Sequence, residues 1–467
     1  MATIIKSTLV SPPFRGRVFI GLLLAAVLLP ACQQQAASDK SAAVDKTAKP
    51  ATITAVSLPV SDQAGVLCLA DPVGNTPLDT DIRKQQAQVK MFAGQAQYWL
   101  QTGRGWVRKA RITTDPGFYL NVDACVETAL KIEPNRPDAL ALRGLALMNG
   151  HQFGEAKALA AGILQKEPQN LVALGILSDA QLELGEFEDA AYTAQRLMDY
   201  RPDMASYARA SYLRWLQGDA EAAKVLIRQA LLAGRDVKDP EPTAWTFVEA
   251  GMLFWQEGDY EGADAVFEEA LKWVPDYPAA WVGRGRAALS LGQAERAVTY
   301  LENAYRRYPL PETAWLLGDA RLMTGDSEGA EREYQRVIRD GKRMDRLTLA
   351  LFYAVKNRSI EEALYLLEAE RKIRHSIYVD DAAAWILYRL GRYPEAKQAS
   401  DQALRLGTRD ARLLYHAGAI HYAMGKVKSG RKQIREALKL NPKFDSTAVA
   451  EAQLILDRSK ANVLVKR

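Results

Sequence analysis

Four histidines, three cysteines and a few adjacent acidic pairs are the residues of this 467-residue chain best suited to chemistry. Two histidines that hold a metal from one helix stand three or four positions apart, on one face. His416 and His421 are five apart, about 140° around a helix axis, and His151 and His375 are isolated. The chain has no HExxH, Walker-type loop, GxSxG or zinc-spaced cysteine set. Gly283-Arg284-Gly285 lacks the third glycine of a phosphate cradle and falls inside a helical stretch. The pairs Glu268-Glu269 and Glu361-Glu362 read as solvated helix faces. Cys68 and Cys125 are not spaced as CxxC, which argues against redox work. They either bridge in an oxidising compartment, tying the start of the folded part to its first repeat, or remain two buried thiols. These residues predict no enzyme, no cofactor and no metal.

Stepping along the chain, the feature that positions everything else is a period of 34. Pro134, Pro168 and Pro202 keep this spacing, as do Pro275 and Pro309, and Pro442 closes a later unit. Glycines at 185, 218, 258, 292, 325, 391 and 425 keep nearly the same beat. Self-similarity at this interval marks a stacked helical array, in which each unit buries itself only against its neighbours. Such an array has no ceiling of the kind that limits a single compact core, so 467 residues are not too many.

The segment from Ala244 to Pro275 shows the pattern. Phe247, Ala250, Gly251 and Phe254 fall at helical spacing before Gly258-Asp259; Tyr260, Ala263, Phe267 and Ala270 do so after it. Gly251 and Ala263 are small where two antiparallel helices cross, and Pro275 ends the second helix. This pattern resembles the tetratricopeptide repeat. The unit with Trp281, Gly285, Gly292, Ala297, Ala304 and Pro309 repeats it. So does the one with Leu414, Gly418, Gly425, Ala437 and Pro442, which departs at Gly430 where alanine is usual. Units from Pro137 and Leu171 are also clear; those near Met204, Pro311, Met344 and Ile377 are weaker.

The resemblance implies an all-α, right-handed superhelical solenoid of antiparallel helix pairs. The expected division is a helical cap with a degenerate repeat over 66–136, nine units over 137–443, and a capping helix and tail over 444–467. One amphipathic helix is expected over 78–101, and a helix capped by Ser446 at the other end. A five-residue surplus near Ala233–Pro242 predicts a polar surface loop, which could also loosen the stacking there.

The resemblance also implies a concave face lined by the second, fifth, ninth, twelfth and thirteenth positions of each unit's first helix. Carried over, these positions hold Tyr212, Trp215, Trp245, Trp255, Trp315, Phe352, Trp385, Tyr388, Tyr415 and Tyr422. Tyr and Trp are enriched at binding hot spots, so the rings are expected to hold a protein or peptide segment. A tight superhelix would instead cover them with neighbouring helices. Some members of the family grip a C-terminal carboxylate with a basic and asparagine clamp. Here the equivalent positions hold Val248, Met252, Val282 and Arg286, so an extended or helical apolar segment fits better.

Residues 1–31 read as an export signal: a basic stretch ending at Arg17, then an apolar run from Val18 to Leu29. As a helix that run rises ~18 Å, short of the ~30 Å hydrocarbon core. Leu29-Pro30-Ala31-Cys32 resembles the lipobox of bacterial lipoproteins, which implies lipidation of Cys32. Pro30 departs from the commonest pattern, leaving plain secretion open, and Gln33 implies sorting to the outer membrane, facing the periplasm. Residues 32–65 are largely small and polar and read as a tether with a reach of roughly 30 Å. The formal net charge is +5, and +2 without 1–31, which gives no footprint for nucleic acid. The membrane contact is expected through the N-terminal lipid only.

Together these features predict a non-catalytic, lipid-anchored scaffold or adaptor in assembly of an envelope machine for secretion, pili, polysaccharide export or outer-membrane biogenesis. The alternative is a periplasmic chaperone or recruiter of cell-wall enzymes with many weak clients.

Overall fold

The structure, a computed structural model, describes residues 63–234 and 236–464, with side chains of the last helix to Asp457. The export segment, Cys32 and most of the tether lie outside the described residues. Every regular element within them is helical. Four helices come first: α1 (Gln63–Cys68), α2 (Pro77–Met91), α3 (Ala96–Thr113) and α4 (Tyr119–Ile132). Antiparallel pairs follow: α5 (Pro137–Asn149) with α6 (Phe153–Lys166), α7 (Leu171–Glu183) with α8 (Phe187–Tyr200), and α9 (Met204–Leu216) with α10 (Ala220–Ala233). The middle pairs are α11 (Glu241–Gln256) with α12 (Tyr260–Trp273), α13 (Pro278–Ser290) with α14 (Ala294–Arg307), and α15 (Pro311–Met323) with α16 (Ser327–Met344). The last are α17 (Arg346–Val355) with α18 (Ile360–Glu370), α19 (Ile377–Arg389) with α20 (Tyr393–Ala403), and α21 (Ala411–Ala423) with α22 (Val427–Leu440). A final helix, α23 (Ser446–Leu464), closes the chain.

Local chemistry sets these limits. Asp203, Asp219, Asp259, Asp326, Asp345 and Asp410 each accept a hydrogen bond from a backbone N–H in the first turn of the helix they precede. Proline opens α2, α5, α13 and α15, where its missing N–H costs nothing. All seven glycines of the periodic ladder have φ between +73° and +86°, the left-handed geometry that ends the first helix of a unit. Where paired helices cross, space decides the residue. A Cβ on Gly251 would lie 2.5 Å from the Phe267 ring, and one on Gly285 2.5 Å from Leu301. Gly430 has a similar reason: a Cβ there would stand 2.6 Å from the Gly418 carbonyl and 2.7 Å from the Tyr422 nitrogen, so alanine does not fit.

The array coils tightly enough to touch itself. The His375 N–H donates to the Glu183 carbonyl at 2.8 Å, the Thr408 hydroxyl to the Leu216 carbonyl, and Asn441 Nδ2 to the Trp255 carbonyl at 2.8 Å. Each acceptor stands at the C-terminal end of a unit's first helix, where carbonyls lack a partner within the helix. The last two bonds span 192 and 186 residues, between five and six units. Turns of the early units thus dock on turns of the late ones. Gly185 belongs to this seam, since a Cβ there would lie 2.8 Å from the His375 carbonyl. Arg374 meets Glu183 across it at 2.9 Å.

A second long-range junction joins the N-terminal helices to the middle of the array. Arg108 and Arg111 of α3 each lie 3.3 Å from Asp239, and Arg111 also 3.3 Å from Glu241. The surplus loop before α11 is therefore pinned by charge and does not loosen the stack. The expected single helix over 78–101 is instead two: α2 stops at Met91 and α3 starts at Ala96, with the Trp99 indole donating to the Ala93 carbonyl in the break. At the other end the cap is Asp445, which accepts from the Ala448 N–H at 2.7 Å, and not Ser446. Cys68 and Cys125 are joined in a disulfide that ties α1 to α4.

Candidate functional site

The ten aromatic rings at concave positions fall into two groups. Trp215, Trp255, Phe352, Trp385 and Tyr415 are buried, none more than 6% exposed. Tyr212, Trp245, Trp315, Tyr388 and Tyr422 are half-buried. None is open to solvent along its whole face, so the expectation of a continuous ring surface does not describe this arrangement. Its cause is the coil itself, which brings late units against early ones and rings against rings.

The structure gathers most of the rings into three clusters. Trp215 stacks on Tyr212 at 5.5 Å and faces Tyr378 of α19 at 6.5 Å, across the seam. Trp315 meets Phe352 edge-on at 5.4 Å, with Tyr334 of α16 behind it. Trp385 stacks on Tyr388 at 4.7 Å and lies 5.5 Å from Tyr415. Trp255 stands apart; its indole N–H donates to Ser290 at 2.9 Å, so it belongs to the junction between units. Tyr422 sits under Arg431, and Trp245 packs between two core clusters.

The histidines are placed by packing. His416 is buried, stacks on Trp385 at 4.0 Å and bonds Asp381 at 2.8 Å, with Arg412 on the other carboxylate oxygen at 3.2 Å. His421 bonds Gln433. His151 stacks on Phe153, and burial with the nearby Arg374 pushes it down to about 4. Among the described residues no group of three His, Cys, Asp or Glu could hold a metal, and no helix is long and apolar enough to cross a membrane.

Beyond Arg286, charged residues also occupy concave positions that the aromatic pattern does not reveal. Asp319, ninth in its unit, accepts from Lys356, thirteenth in the next, and from the Tyr334 hydroxyl, both at 2.6 Å. Arg389, thirteenth in its unit, lies over the Trp385 ring at 4.6 Å. Its guanidinium donates to both carboxylate oxygens of Glu451, at 3.1 and 3.3 Å, and the Tyr415 hydroxyl donates to the same carboxylate at 2.8 Å. Burial, with that carboxylate beside it, raises the Tyr415 hydroxyl far above its ordinary range. Glu451 belongs to α23. The last helix therefore lies on the concave face of α19 and α21, with Phe444 just ahead of it 5.8 Å from Tyr415. Elsewhere, on α11, burial alone pushes the Glu249 carboxyl up to about 7.

Models of the tetratricopeptide repeat match residues 147–213, 248–310, 284–345 and 382–444. The chain belongs to the tetratricopeptide-repeat superfamily. As such it is a scaffold of the general kind that binds proteins or peptides. No curated protein matches it. Among solved structures, human IFIT1, a dimer with PPP-AAAA, is 14% identical over 81% of this chain and 95% of its own, with a TM-score of 0.45. Yeast Tom70 is 13% identical over 82% and 97%, with a TM-score of 0.37. A tetratricopeptide repeat protein from Parabacteroides merdae is 14% identical over 54% and 98%, with a TM-score of 0.32. At scores this low the likenesses carry no argument about what this chain binds.

Proposed function

We propose that this tetratricopeptide array is an exported, lipid-anchored adaptor that holds a segment of a partner protein on its concave face during assembly of an envelope machine. The observation that carries the binding part is the face of α19 and α21, where Arg389, lying over Trp385 beside Tyr388, and Tyr415 together hold Glu451 of a helix. An aromatic floor with one cation and one hydroxyl suits an apolar helical segment that brings a carboxylate. Export is supported by the basic-then-apolar segment before Cys32 and by the Cys68–Cys125 bridge, since disulfides persist in oxidising compartments. Lipidation of Cys32, with a tether of about 30 residues, would place the array within roughly 30 Å of the membrane. Neither nucleic acid nor a metal enters this reading.

The test is photo-crosslinking in cells from Tyr388, a half-buried ring, with the product identified by mass spectrometry. One dominant envelope protein is expected. A smear of many clients would favour a periplasmic chaperone or recruiter of cell-wall enzymes. Absence of acylation at Cys32, read by labelled fatty acid, would remove the anchor and leave a secreted adaptor.

A further inference from the structure

The last helix is where a tenth unit's first helix would stand, yet it does not stack as one. It leaves Asn441 and Lys443, which are fastened to the Trp255 carbonyl and to Ser290 of the early units, and then crosses onto α21 and α19. Its grip is thin. Among the described side chains of α23, to Asp457, it buries Ala448 and Ala452; Val449, Ile455 and Leu456 are half-buried, and Leu454 is 61% exposed. A permanent cap buries its large apolar residues, because these supply most of the hydrophobic gain. Here the large residues among the described side chains are the ones left partly in water. The strongest polar contact is instead one carboxylate, Glu451, held by Arg389 and Tyr415. No other carboxylate reaches Arg389 among the described residues.

From this we infer that α23 is a displaceable occupant of the chain's own binding face, and that the partner it yields to is an amphipathic helix carrying a carboxylate for Arg389 and Tyr415. This rests on the concave-face reading above and names both the partner's chemistry and its regulation. The fork of Arg389 gives direction as well as attraction, since it takes both oxygens of one carboxylate. A competing helix with the same acid but bulkier apolar residues in place of Ala448 and Ala452 would gain contact at the two positions α23 buries most fully. A helix attached to the array competes at high effective concentration, so an outside partner must bind better than α23 does per contact. The bound state then exposes α23, which could no longer hold the face shut.

The experiment uses the full chain and a fluorescent peptide of residues 444–464 as probe. In the wild-type chain the internal copy blocks the face, and the peptide is expected to bind weakly. Glu451→Arg sets two cations together and should release α23, raising peptide affinity at least tenfold by fluorescence anisotropy. Adding R389Q to E451R should abolish that gain, while R389E with E451R should restore the closed state by charge exchange. If the E451R chain does not fold, E451Q replaces it, with a gain of about threefold expected. Equal peptide binding by wild-type and released chains, or a gain that survives R389Q, would overturn the inference. Because the probe is the chain's own helix, this result is independent of any cellular partner. A partner crosslinked equally to wild type and E451R would leave the adaptor reading intact and defeat the gate alone.

Discussion

The molecule is closed by two junctions that solve the same problem with different chemistry. The seam between early and late units is made chiefly of main-chain carbonyls at helix ends, met by His375 N–H, Thr408 and Asn441 around tight glycine turns. The junction at the N-terminal helices is made of buried charge: Arg111 between Asp239 and Glu241, with the Tyr277 hydroxyl donating to Glu241 at 2.8 Å. Burial and the Glu241 carboxylate beside it hold the Tyr277 hydroxyl well above its usual range. The carbonyl contacts of the seam depend on shape, and among the described residues its ion pair is Arg374–Glu183. A charge junction tolerates less, because removing one member leaves the others unpaired in a low-dielectric site. The seam therefore rests mainly on how its turns fit, whereas the junction is a fixed point that needs its charges paired.

The largest expected effect breaks the charge junction. Arg111→Ala leaves Glu241 buried without its cation and Asp239 with Arg108 alone, and should cost about 3–5 kcal/mol in urea unfolding. A cost below about 1 kcal/mol would mean that the junction is solvated and not the fixed point described. On the seam, Asn441→Ala removes a fully buried amide that donates to the Trp255 carbonyl and accepts from the Tyr260 hydroxyl at 2.7 Å. Stranding those groups should cost about 2–4 kcal/mol. The two variants should also separate by probe: scattering should show Asn441→Ala expanding the folded particle before it unfolds.

A pair of glycines sharpens the comparison further. Gly218 and Gly292 have φ of +78° and +73°, so alanine at either costs about 1–2 kcal/mol for the left-handed backbone. Nothing lies within 4 Å of a Cβ on Gly292, but one on Gly218 would collide with the Gly407 carbonyl across the seam. The difference between Gly218→Ala and Gly292→Ala isolates the seam, and about 1 kcal/mol of extra cost is expected for the first. Equal costs would show that the turns do not touch in solution.

How much of this was legible in the sequence follows from which forces repeat. The 34-residue beat reports contacts between neighbouring units, and these return at every unit; hence the helix pairs, the turn glycines and the small residues at crossings could all be read. The seam links units five to six apart and uses backbone atoms, which leave no residue pattern. Gly218 looked like every other turn glycine, although it alone faces Gly407. Trp255 and Trp385 stood at concave positions, but position says only which way a ring points, and the coil decides whether another helix covers it. Arg389 and Glu451 were readable in principle: a charge at a groove position and an acid on the last helix. Their meeting needs α23 to turn inward, and nothing periodic announces that turn.

The smallest expected effect lies between the two junctions. Burial raises the hydroxyls of both Tyr212, at the seam, and Tyr277, at the charge junction, and the Glu249 carboxylate of α11 adds to each. Burial pushes its carboxyl up to about 7 from an ordinary 4.5. Below about pH 4.5 both folded and unfolded chains hold the proton, and Glu249 costs nothing. As pH rises from there to about 7 the unfolded chain releases it first, so folding stability falls across this window and stays lower above it. The full shift would be worth roughly 3 kcal/mol. A half-buried carboxyl is partly screened, so about 1–2 kcal/mol is expected. Glu249→Gln should flatten this part of the profile, and its gain over wild type should be greatest at pH 8 and absent at pH 4. The difference between the two chains, measured by urea unfolding at each pH, removes the contribution of every other carboxylate. If the gain is the same at both pH values, the carboxyl is solvated and cannot report to either junction; a gain confined to high pH would show that the packing around Glu249 is dry enough to hold a proton on an acid near neutrality.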